Sequence, residues 1–350
     1  MPKPSGAVKW WLLCGVVMIY VQIMLGGITR LTGSGLSITE WQIITGTIPP
    51  LNERSWNNEF EKYRETPQYH KLNKGMTLAE FKRIYFWEYL HRLWARLMGF
   101  VFAIPFAVFL LRKQLPKRLI LQLVVVIFLS ALAASFGWIM VKSGLVERPW
   151  VDAYKLTMHL LIALLTFSYL LHVTVRQWVA DEYYTVSPLL KRFAAVLLAV
   201  ITVQLSLGGM MSGMKAGFLY PTFPDMNGRF IPDVLLSPSS WTMDAFRHYD
   251  ADPFAASLVH FLHRMVGYSF LLLVVIFYCK SKKVKTRHPL PAAAGALAGI
   301  TLIQVVLGII TVLHFKGGLP IMWGVLHQAV GILVLADLVV VFALIRKPYV

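Results

Sequence analysis

Four histidines occupy corresponding places in the two halves of the sequence: His91, His159, His263 and His327. Each lies a few residues inside an apolar stretch. The separation is 68 residues from His91 to His159 and 64 residues from His263 to His327. Two facing imidazoles inside a helical bundle can hold a haem iron from both axial sides. The sequence therefore predicts two haem sites, with one pair of these histidines as the metal ligands of each.

Two other interpretations of these histidines compete with haem ligation. A single histidine in an apolar helix is commonly a hydrogen-bonded core residue, but four at equivalent places in a duplicated chain favour ligands. Zinc and copper sites use three or four clustered ligands, often with cysteine or carboxylate groups. Each half of this chain offers only a histidine pair and one neighbouring residue, which favours haem over these metals.

A carboxylate and an imidazole stand at matching positions before the first histidine of each pair. Glu88 lies three residues before His91, and His260 lies three residues before His263. Residues three apart share a helix face, so Glu88 and His260 are expected to point toward the groups that these histidines bind. A carboxylate there can accept or relay protons, which predicts a catalytic role for Glu88. The alternative is an ion pair between Glu88 and a nearby arginine.

An arginine directly follows the first histidine of each pair, Arg92 in one half and Arg264 in the other. A guanidinium near the outer membrane boundary can pair with haem propionates, or it can extend to lipid headgroups. Both interpretations stay open for the two residues. Arg92 and Arg96 are also the arginines with which Glu88 could pair.

Composition places the chain in a membrane. Of 350 residues, 57% are hydrophobic, and the mean hydropathy is +0.61, which is far above the range of soluble proteins. The formal net charge of +17 would suggest nucleic-acid binding in a soluble protein. Here the basic residues cluster in short loops, so orientation in the membrane explains the charge. The two cysteines, Cys14 and Cys279, predict neither a CxxC site nor a disulfide framework.

Apolar stretches that reach the length of about 20 residues needed to cross a bilayer occur eight times. They are predicted at 8–28, 86–111, 119–140, 156–175, 193–213, 257–279, 292–313 and 321–345. The predicted fold class is an all-α polytopic membrane protein, with eight transmembrane helices in two tandem pseudo-symmetric four-helix bundles.

An internal repeat with an offset of roughly 170–180 residues supports the duplication. VQIMLGG (21–27) matches VQLSLGG (203–209), and EYLHRLWARLMGF (88–100) matches HFLHRMVGYSF (260–270). Four consecutive spans return the chain to its starting side. Both halves are therefore expected to share one topology, related by an axis along the membrane normal.

The repeat predicts three parts of the chain. They are an N-terminal bundle at 1–175, an inner connecting segment at 176–192, and a C-terminal bundle at 193–350. The N-terminal bundle includes the long outer loop 29–85. Within it, apolar residues at helical spacing predict an amphipathic helix on the outer surface; a short helix in an ordered loop is the alternative.

Orientation follows from charge. Sixteen of the 34 Lys and Arg residues lie on one side of the predicted spans, nearly all in short segments. The long segments 29–85 and 214–256 on the other side mix acidic and basic residues. The positive-inside rule then predicts both termini in the cytoplasm. An apolar stretch begins almost at the N-terminus, which predicts a multi-pass protein of the bacterial cell inner membrane without a transit peptide. A processed mitochondrial inner-membrane protein would look the same.

Several motifs together resemble the haem A synthase family: EYLHR at 88–92, HFLHR at 260–264, LGGITRLTGSGLS at 25–37 and the two histidine pairs. The resemblance covers essentially the whole chain. The long first outer loop is similar to that of the alphaproteobacterial and mitochondrial-type branch.

The resemblance implies an oxidoreductase that converts haem O to haem A. The C8 methyl group would be oxidised to a formyl group with a water-derived oxygen by successive hydroxylations, and haem A would then serve cytochrome oxidase. The residues implied for the substrate haem are His91, His159 and Arg92, and those implied for a retained haem b are His263, His327, Arg264 and His260. Glu88 stands at the catalytic carboxylate position of the family.

The resemblance also implies partners: haem O synthase, cytochrome oxidase assembly factors, an external electron-transfer partner and membrane lipid, but no nucleic acid. A homo-oligomer stays open. Some family members carry a cysteine pair in the first outer loop, whereas 29–85 contains no cysteine here. That difference argues against a thiol route for electrons or haem and leaves haem b and an external partner as the expected route.

Two other functions fit the same ligand pattern. A di-haem b-type membrane cytochrome would hold both haems permanently and exchange electrons with quinone. A haem-binding assembly or transport protein would bind haem without chemistry. The resemblance and the lone carboxylate in one half favour the enzyme.

Overall fold

The computed structural model describes residues 5–40, 45–146, 148–180, 185–284 and 288–346. Its α-helices are α1 (Gly6–Leu31), α2 (Glu53–Arg64), α3 (Pro67–Leu72), α4 (Leu78–Leu111), α5 (Lys117–Gly144), α6 (Ala153–Trp178), α7 (Pro188–Gly213), α8 (Asp233–Leu236), α9 (Met243–Arg247), α10 (Pro253–Ser281), α11 (Leu290–His314) and α12 (Ile321–Leu344). Eight of them, α1, α4, α5, α6, α7, α10, α11 and α12, are long and apolar enough to cross a membrane. The eight predicted spans and the all-α polytopic fold class are confirmed.

Some helices extend beyond the predicted spans because capping groups, and not the apolar stretch, set where a helix begins. The second span was predicted to start at 86, but α4 starts at Leu78. The Thr77 side chain accepts from the Glu80 backbone N–H, and the Glu80 carboxylate accepts from the Thr77 backbone N–H, which completes a capping box. The first turns of α4 are therefore polar and lie before the apolar part of the helix.

The first long segment folds onto this extension of α4. The short helices α2 and α3 contribute Phe60, Tyr63 and Tyr69 to an aromatic cluster that Phe81 and Tyr85 of α4 complete. The ring centroids of Phe60 and Phe81 are 5.0 Å apart. Burying each such side chain contributes about 1.5–3 kcal/mol. The helical prediction for this segment is confirmed, and its place on the membrane surface stays a prediction.

The second long segment carries a smaller apolar cluster. Leu235 of α8, Ala245 of α9 and Phe254 at the start of α10 are buried together. The Trp241 ring packs on Phe254 with centroids 4.8 Å apart. These contacts fix the chain just before the span that carries His260 and His263.

The chain divides into two compact units, Met1–Thr166 and Phe167–Val350. The boundary lies inside α6, whereas the sequence placed the end of the first bundle at 175 and the connection at 176–192. The domain organisation predicted from the repeat stays a prediction. The predicted orientation also remains untested, and four basic residues that it uses, Lys3, Lys285, Arg287 and Lys347, lie outside the described residues.

The spanning helices of the C-terminal unit close a ring. α7 packs on α10, α10 on α11, α11 on α12, and α12 on α7. A two-residue parallel pairing joins β1 (Thr185–Val186), before α7, to β2 (Ile345–Arg346), after α12. The ring thus surrounds the space into which the side chains of α10 and α12 project.

The corresponding helices of the N-terminal unit pack less completely. α1 packs extensively on α4, as α7 does on α10. However, α4 has no buried residue beyond Glu88, whereas the matching part of α10 includes the buried Phe270, Val274 and Phe277. The N-terminal unit is therefore more open beside α4, the helix that carries Glu88 and His91.

Candidate functional site

The histidine pair of the C-terminal unit has the spacing that an ion between two imidazoles requires. The ring centroids of His263 and His327 are 6.3 Å apart, and the ring planes make an angle of 73°. Metal–imidazole nitrogen bonds are about 2 Å long, and a ring centroid lies about 1.1 Å behind its nitrogen. Two rings that bind one ion from opposite sides therefore need a separation of roughly 6 Å. The two residues fit a bis-histidine haem site.

Glycines on the preceding helix let each ring of this pair approach closely. A Cβ atom at Gly208 of α7 would lie 3.5 Å from His263 Cε1, and one at Gly308 of α11 would lie 2.9 Å from His327 Cε1. The second distance is shorter than real Cβ contacts, so only glycine leaves the His327 ring in its place. In each helical hairpin, a glycine of one helix thus leaves room for the imidazole of the other. We call this glycine the glycine seat.

A glutamine on the same helix as each glycine seat faces the corresponding histidine ring. The Gln204 amide N–H donates to His263 Nε2 over 3.4 Å, and the Gln304 amide N–H donates to His327 Nε2 over 3.3 Å. The Nδ1 atoms of both histidines are buried and have no hydrogen-bond partner in the structure. In each ring, therefore, Nε2 accepts from a glutamine amide and Nδ1 has no hydrogen-bond partner.

The pair of the N-terminal unit is built in a related way. His91 lies against Gly26, where a Cβ would be 3.2 Å from its Cε1 atom, and His159 lies against Gly137 at 3.1 Å. Gln22 Nε2 is 3.3 Å from His91 Nδ1 and 3.4 Å from His91 Nε2. The structure therefore brings the C-terminal pair together, and it gives His91 and His159 equivalent places, each against a glycine of the preceding helix.

His159 departs from the other three because no glutamine faces it. The corresponding residue on α5 is Ala133, and the His159 Nδ1–H donates to the Ala133 backbone carbonyl over 2.9 Å. This bond fixes the tautomer with the proton on Nδ1 and leaves Nε2 as the nitrogen with a free lone pair. His159 is thus already in the form that can bind a metal through Nε2.

Glu88 is 2% exposed and is held by three donors. Its Oε2 atom accepts from the Ser37 hydroxyl over 2.8 Å and from the Ile38 backbone N–H over 2.9 Å. Its Oε1 atom accepts from Arg92, four residues later on α4. The ion pair that the sequence offered as an alternative is present. These three donors hold the carboxylate at a defined position near the outer end of α4.

Arg92 and Arg264 hold the loops that follow the first helix of each unit. Arg92 donates to the backbone carbonyls of Ile38 and Glu40 at 3.1 Å. Arg264 donates to the carbonyl of Asp225 over 2.8 Å, and its other contacts of this kind are with Thr222 and Tyr220 at 2.8 and 3.1 Å. Pairing with a haem propionate, which the sequence offered, stays a prediction for both arginines.

His260 occupies the place of Glu88 in the C-terminal unit and is also 2% exposed. Its Nδ1–H donates to the Ala216 carbonyl over 3.1 Å, and its Nε2 atom accepts from Arg264 Nε over 3.1 Å. Both ring nitrogens therefore have protein partners. The cofactor-binding role implied for His260 stays a prediction, and the structure gives the ring a place between the loop and the arginine.

Outside the spans, Tyr63 and Asp225 adjoin these two positions. Burial in the aromatic cluster raises the pKa of Tyr63 to about 12. The hydrogen bond with Asn73 lowers this pKa and the nearby Glu88 raises it, each by less than burial does. A hydrogen bond from Thr222 is the largest cause that lowers the pKa of Asp225. The backbone carbonyl of Asp225 is also one of those to which Arg264 of α10 donates.

The three glutamines were missed by the sequence analysis, although their signal is present. Each stands four residues before the glycine seat, in VQIMLGG (21–27), VQLSLGG (203–209) and IQVVLGI (303–309). The first two segments served only as evidence of duplication.

Among the described residues, no group of three or more His, Cys, Asp or Glu could hold a metal ion.

Known proteins are similar to the whole chain. A family model described as a cytochrome oxidase assembly protein matches residues 9–339. The haem A synthase of Flavobacterium psychrophilum is 37% identical over 338 residues, which cover 95% of this chain and 96% of that protein. That of Bradyrhizobium diazoefficiens is 40% identical over 339 residues, which cover 95% and 90%. The resemblance stated from the sequence is confirmed, and the chain belongs to the haem A synthase family of cytochrome oxidase assembly proteins.

Proposed function

We propose that this chain is a membrane-bound oxidoreductase that converts haem O to haem A. The C8 methyl group is oxidised to a formyl group by successive hydroxylations, with oxygen from water, and the electrons pass to an external acceptor. The observation that carries the proposal is the pair of histidine sites in a duplicated bundle, only one of which adjoins a buried carboxylate. Two sites that only transferred electrons would not need that difference.

The N-terminal unit is proposed to bind the substrate haem between His91 and His159. Two features support this assignment. Glu88 lies on the same helix as His91, and that helix has no buried residue beyond Glu88. A substrate must enter and leave, and an incompletely packed bundle permits exchange more readily than a closed ring. Arg92 is proposed to fix the loop that covers this site.

The C-terminal unit is proposed to hold a resident haem b through His263 and His327, which would supply one-electron transfer when bound. Support comes from the 6.3 Å ring separation, the glycine seats and the closed helical ring. A ring of packed helices slows dissociation of a bound group. Arg264 and His260 are proposed to support the outer side of this site.

Glu88 is proposed to take up protons as the methyl group is oxidised. Hydroxylation by a water-derived oxygen releases protons, and a positioned carboxylate can accept them. Ser37, Ile38 and Arg92 hold Glu88 in one orientation.

Location and partners follow from the same proposal. The short basic segments support our proposal that both termini lie on the cytoplasmic side of a bacterial inner membrane. The histidine pairs then lie toward the outer side. The proposed partners are the enzyme that supplies haem O, assembly factors that receive haem A for cytochrome oxidase, and an electron acceptor.

The test is chromatography of the haems extracted from the purified protein after expression with a supply of haem O. The expected result is haem B together with haem A or a hydroxylated haem O intermediate. Haem B alone, at about two per chain, would overturn the proposal in favour of the di-haem cytochrome. Haem O recovered unchanged would point to a carrier without chemistry.

A further inference from the structure

Three of the four predicted haem ligands face a glutamine on the preceding helix, and the two glutamines of the C-terminal unit are the best defined. Gln204 and Gln304 donate to the Nε2 atoms of His263 and His327. Nε2 is the nitrogen farther from the backbone and the one that can reach an ion between the rings. In the arrangement described, the amide therefore occupies the nitrogen that a metal would need.

Both partners of each contact have an unmet group. The Oε1 atoms of Gln204 and Gln304 and the Nδ1 atoms of His263 and His327 are buried without a hydrogen-bond partner. An amide oxygen is an acceptor, and a protonated Nδ1 is a donor. A buried donor or acceptor that is left without a partner destabilises the folded protein. The unmet groups of each pair are chemically complementary. They can meet when both side chains turn: a half-turn of the amide points Oε1 at the ring, and a half-turn of the imidazole brings Nδ1 to the ring edge that now carries Nε2.

We propose that Gln204 and Gln304 are positioning residues for the haem ligands. Their amide oxygens accept the Nδ1–H of His263 and His327 when the Nε2 atoms bind iron. This inference rests on the proposed haem b of the C-terminal unit. A ligand histidine whose second nitrogen donates to an acceptor has a fixed ring orientation and a more basic metal-binding nitrogen. The amide thus sets both the direction of the ring and the electron density that it gives to iron.

The packing around the two amides supports this role. A Cβ at Gly267 would lie 3.2 Å from Gln204 Nε2, and a Cβ at Gly331 would lie 3.0 Å from Gln304 Nε2. Each of these glycines stands four residues after its histidine. The histidine therefore rests on a glycine of one helix, and the glutamine rests on a glycine of the other. Space is reserved for the amide as well as for the ring.

The N-terminal unit differs at the same positions. Alanines, Ala95 and Ala163, stand four residues after His91 and His159. Ala133 replaces the glutamine, and its backbone carbonyl accepts from His159 Nδ1 over 2.9 Å. A backbone carbonyl in a helix cannot turn as an amide can. One ligand of the proposed substrate site thus has a fixed acceptor, while both ligands of the proposed haem b site have a side-chain acceptor.

The test compares three variants of the full-length protein by the midpoint potential and the ferric electron paramagnetic resonance spectrum of haem b. Gln304→Leu removes the acceptor at similar size, and Gln304→Glu keeps an acceptor oxygen. Gln177→Leu is the matched control, because Gln177 is a glutamine of a spanning helix whose amide lies 3.5 Å from the Val173 carbonyl of its own helix.

Gln304→Leu is expected to weaken haem b binding by about 10–100-fold and to raise its midpoint potential, because the ferric form depends more on a basic ligand. A tenfold larger loss for the ferric than for the ferrous form corresponds to about 59 mV. Gln304→Glu is expected to keep the potential at or below that of the wild type, and Gln177→Leu to change neither property.

Two results would overturn the inference alone: an unchanged potential and spectrum in Gln304→Leu, or an equal rise in Gln304→Glu, since the latter would mean that shape and not the acceptor matters. A wild-type protein that holds no haem b would overturn the proposed function and this inference together. The two failures are therefore distinguishable in one set of preparations.

Discussion

The outer ends of α4 and α10 share one contact between an arginine and a loop, and they differ in the residue that this arginine contacts on its own helix. In both, an arginine holds the backbone carbonyls of the loop that follows the preceding spanning helix. In both, that arginine also contacts the residue four positions earlier, which is Glu88 in α4 and His260 in α10. Duplication preserved the contact between arginine and loop, while the residue beside it changed from one half to the other.

Glu88 and His260 differ in chemical type and in the number of further hydrogen bonds that each can accept. Both ring nitrogens of His260 have protein partners: Nδ1–H donates to the Ala216 carbonyl, and Nε2 accepts from Arg264. The imidazole therefore links the loop to the arginine as a neutral group. Glu88 carries two oxygens, each of which can accept more than one hydrogen bond. An acceptor for the arginine is all that the contact with the loop requires. The carboxylate in one half therefore supports the proposal that the proton chemistry takes place beside Glu88.

The largest expected effect separates the two histidine pairs. His327→Ala is expected to abolish the stable b-type absorption of the purified protein, because one of two axial ligands is lost. His159→Ala is expected to retain that absorption and to lose haem A formation. Absorption spectra and extracted haems of the two variants provide the measurement. Equal loss of haem b in both would break the assignment of resident haem and substrate haem to different halves.

Glu88→Gln tests the residue in which the halves differ. We expect haem A formation to fall by about 10²–10⁴-fold, since a general base is lost, while haem content stays near that of the wild type. Rates come from the haem composition over time. The matched control is Glu80→Gln on the same helix, where glutamine can still complete the capping box. An unchanged rate in Glu88→Gln would refute the catalytic role.

Steric pressure on the ligand rings is expected to distinguish the two hairpins of the C-terminal unit. Gly308→Ala would place Cβ 2.9 Å from the His327 ring, whereas Gly208→Ala would place it at 3.5 Å from the His263 ring, an ordinary contact. Overpacking of this kind costs about 1–3 kcal/mol. The midpoint temperature for loss of haem b absorption is expected to fall in Gly308→Ala and to change little in Gly208→Ala. Equal behaviour would mean that the ring positions differ from those described.

The smallest expected effect concerns the setting of Glu88. Ser37→Ala removes one of its three donors, a bond to a charged group worth about 1.5–3 kcal/mol, and should lower the rate of haem A formation roughly tenfold. Ser34→Ala is the control, since the Ser34 hydroxyl pairs with Thr32. An equal loss of rate in both variants would assign the effect to the loop as a whole.

The spans could be predicted from the sequence because apolar length is a local property. All eight were found, and α4 was underestimated only where its polar first turns follow a capping box. The histidine pairs could also be predicted, since the two halves of the duplicated chain carry histidines at equivalent places. The glutamines were not singled out, because a polar residue in an apolar helix has no assigned partner until the neighbouring helix is placed.

The sequence by itself determined the membrane class, the duplication, the four histidines and the lone carboxylate of one half, because hydropathy, periodicity and residue type are read along the chain. The tertiary structure decided the partners: Glu88 with Ser37, Ile38 and Arg92, the arginines with loop carbonyls, and each histidine with a glycine seat and an acceptor. These contacts join residues far apart in sequence, and only the packing of helices against each other and against the outer loops fixes which groups meet.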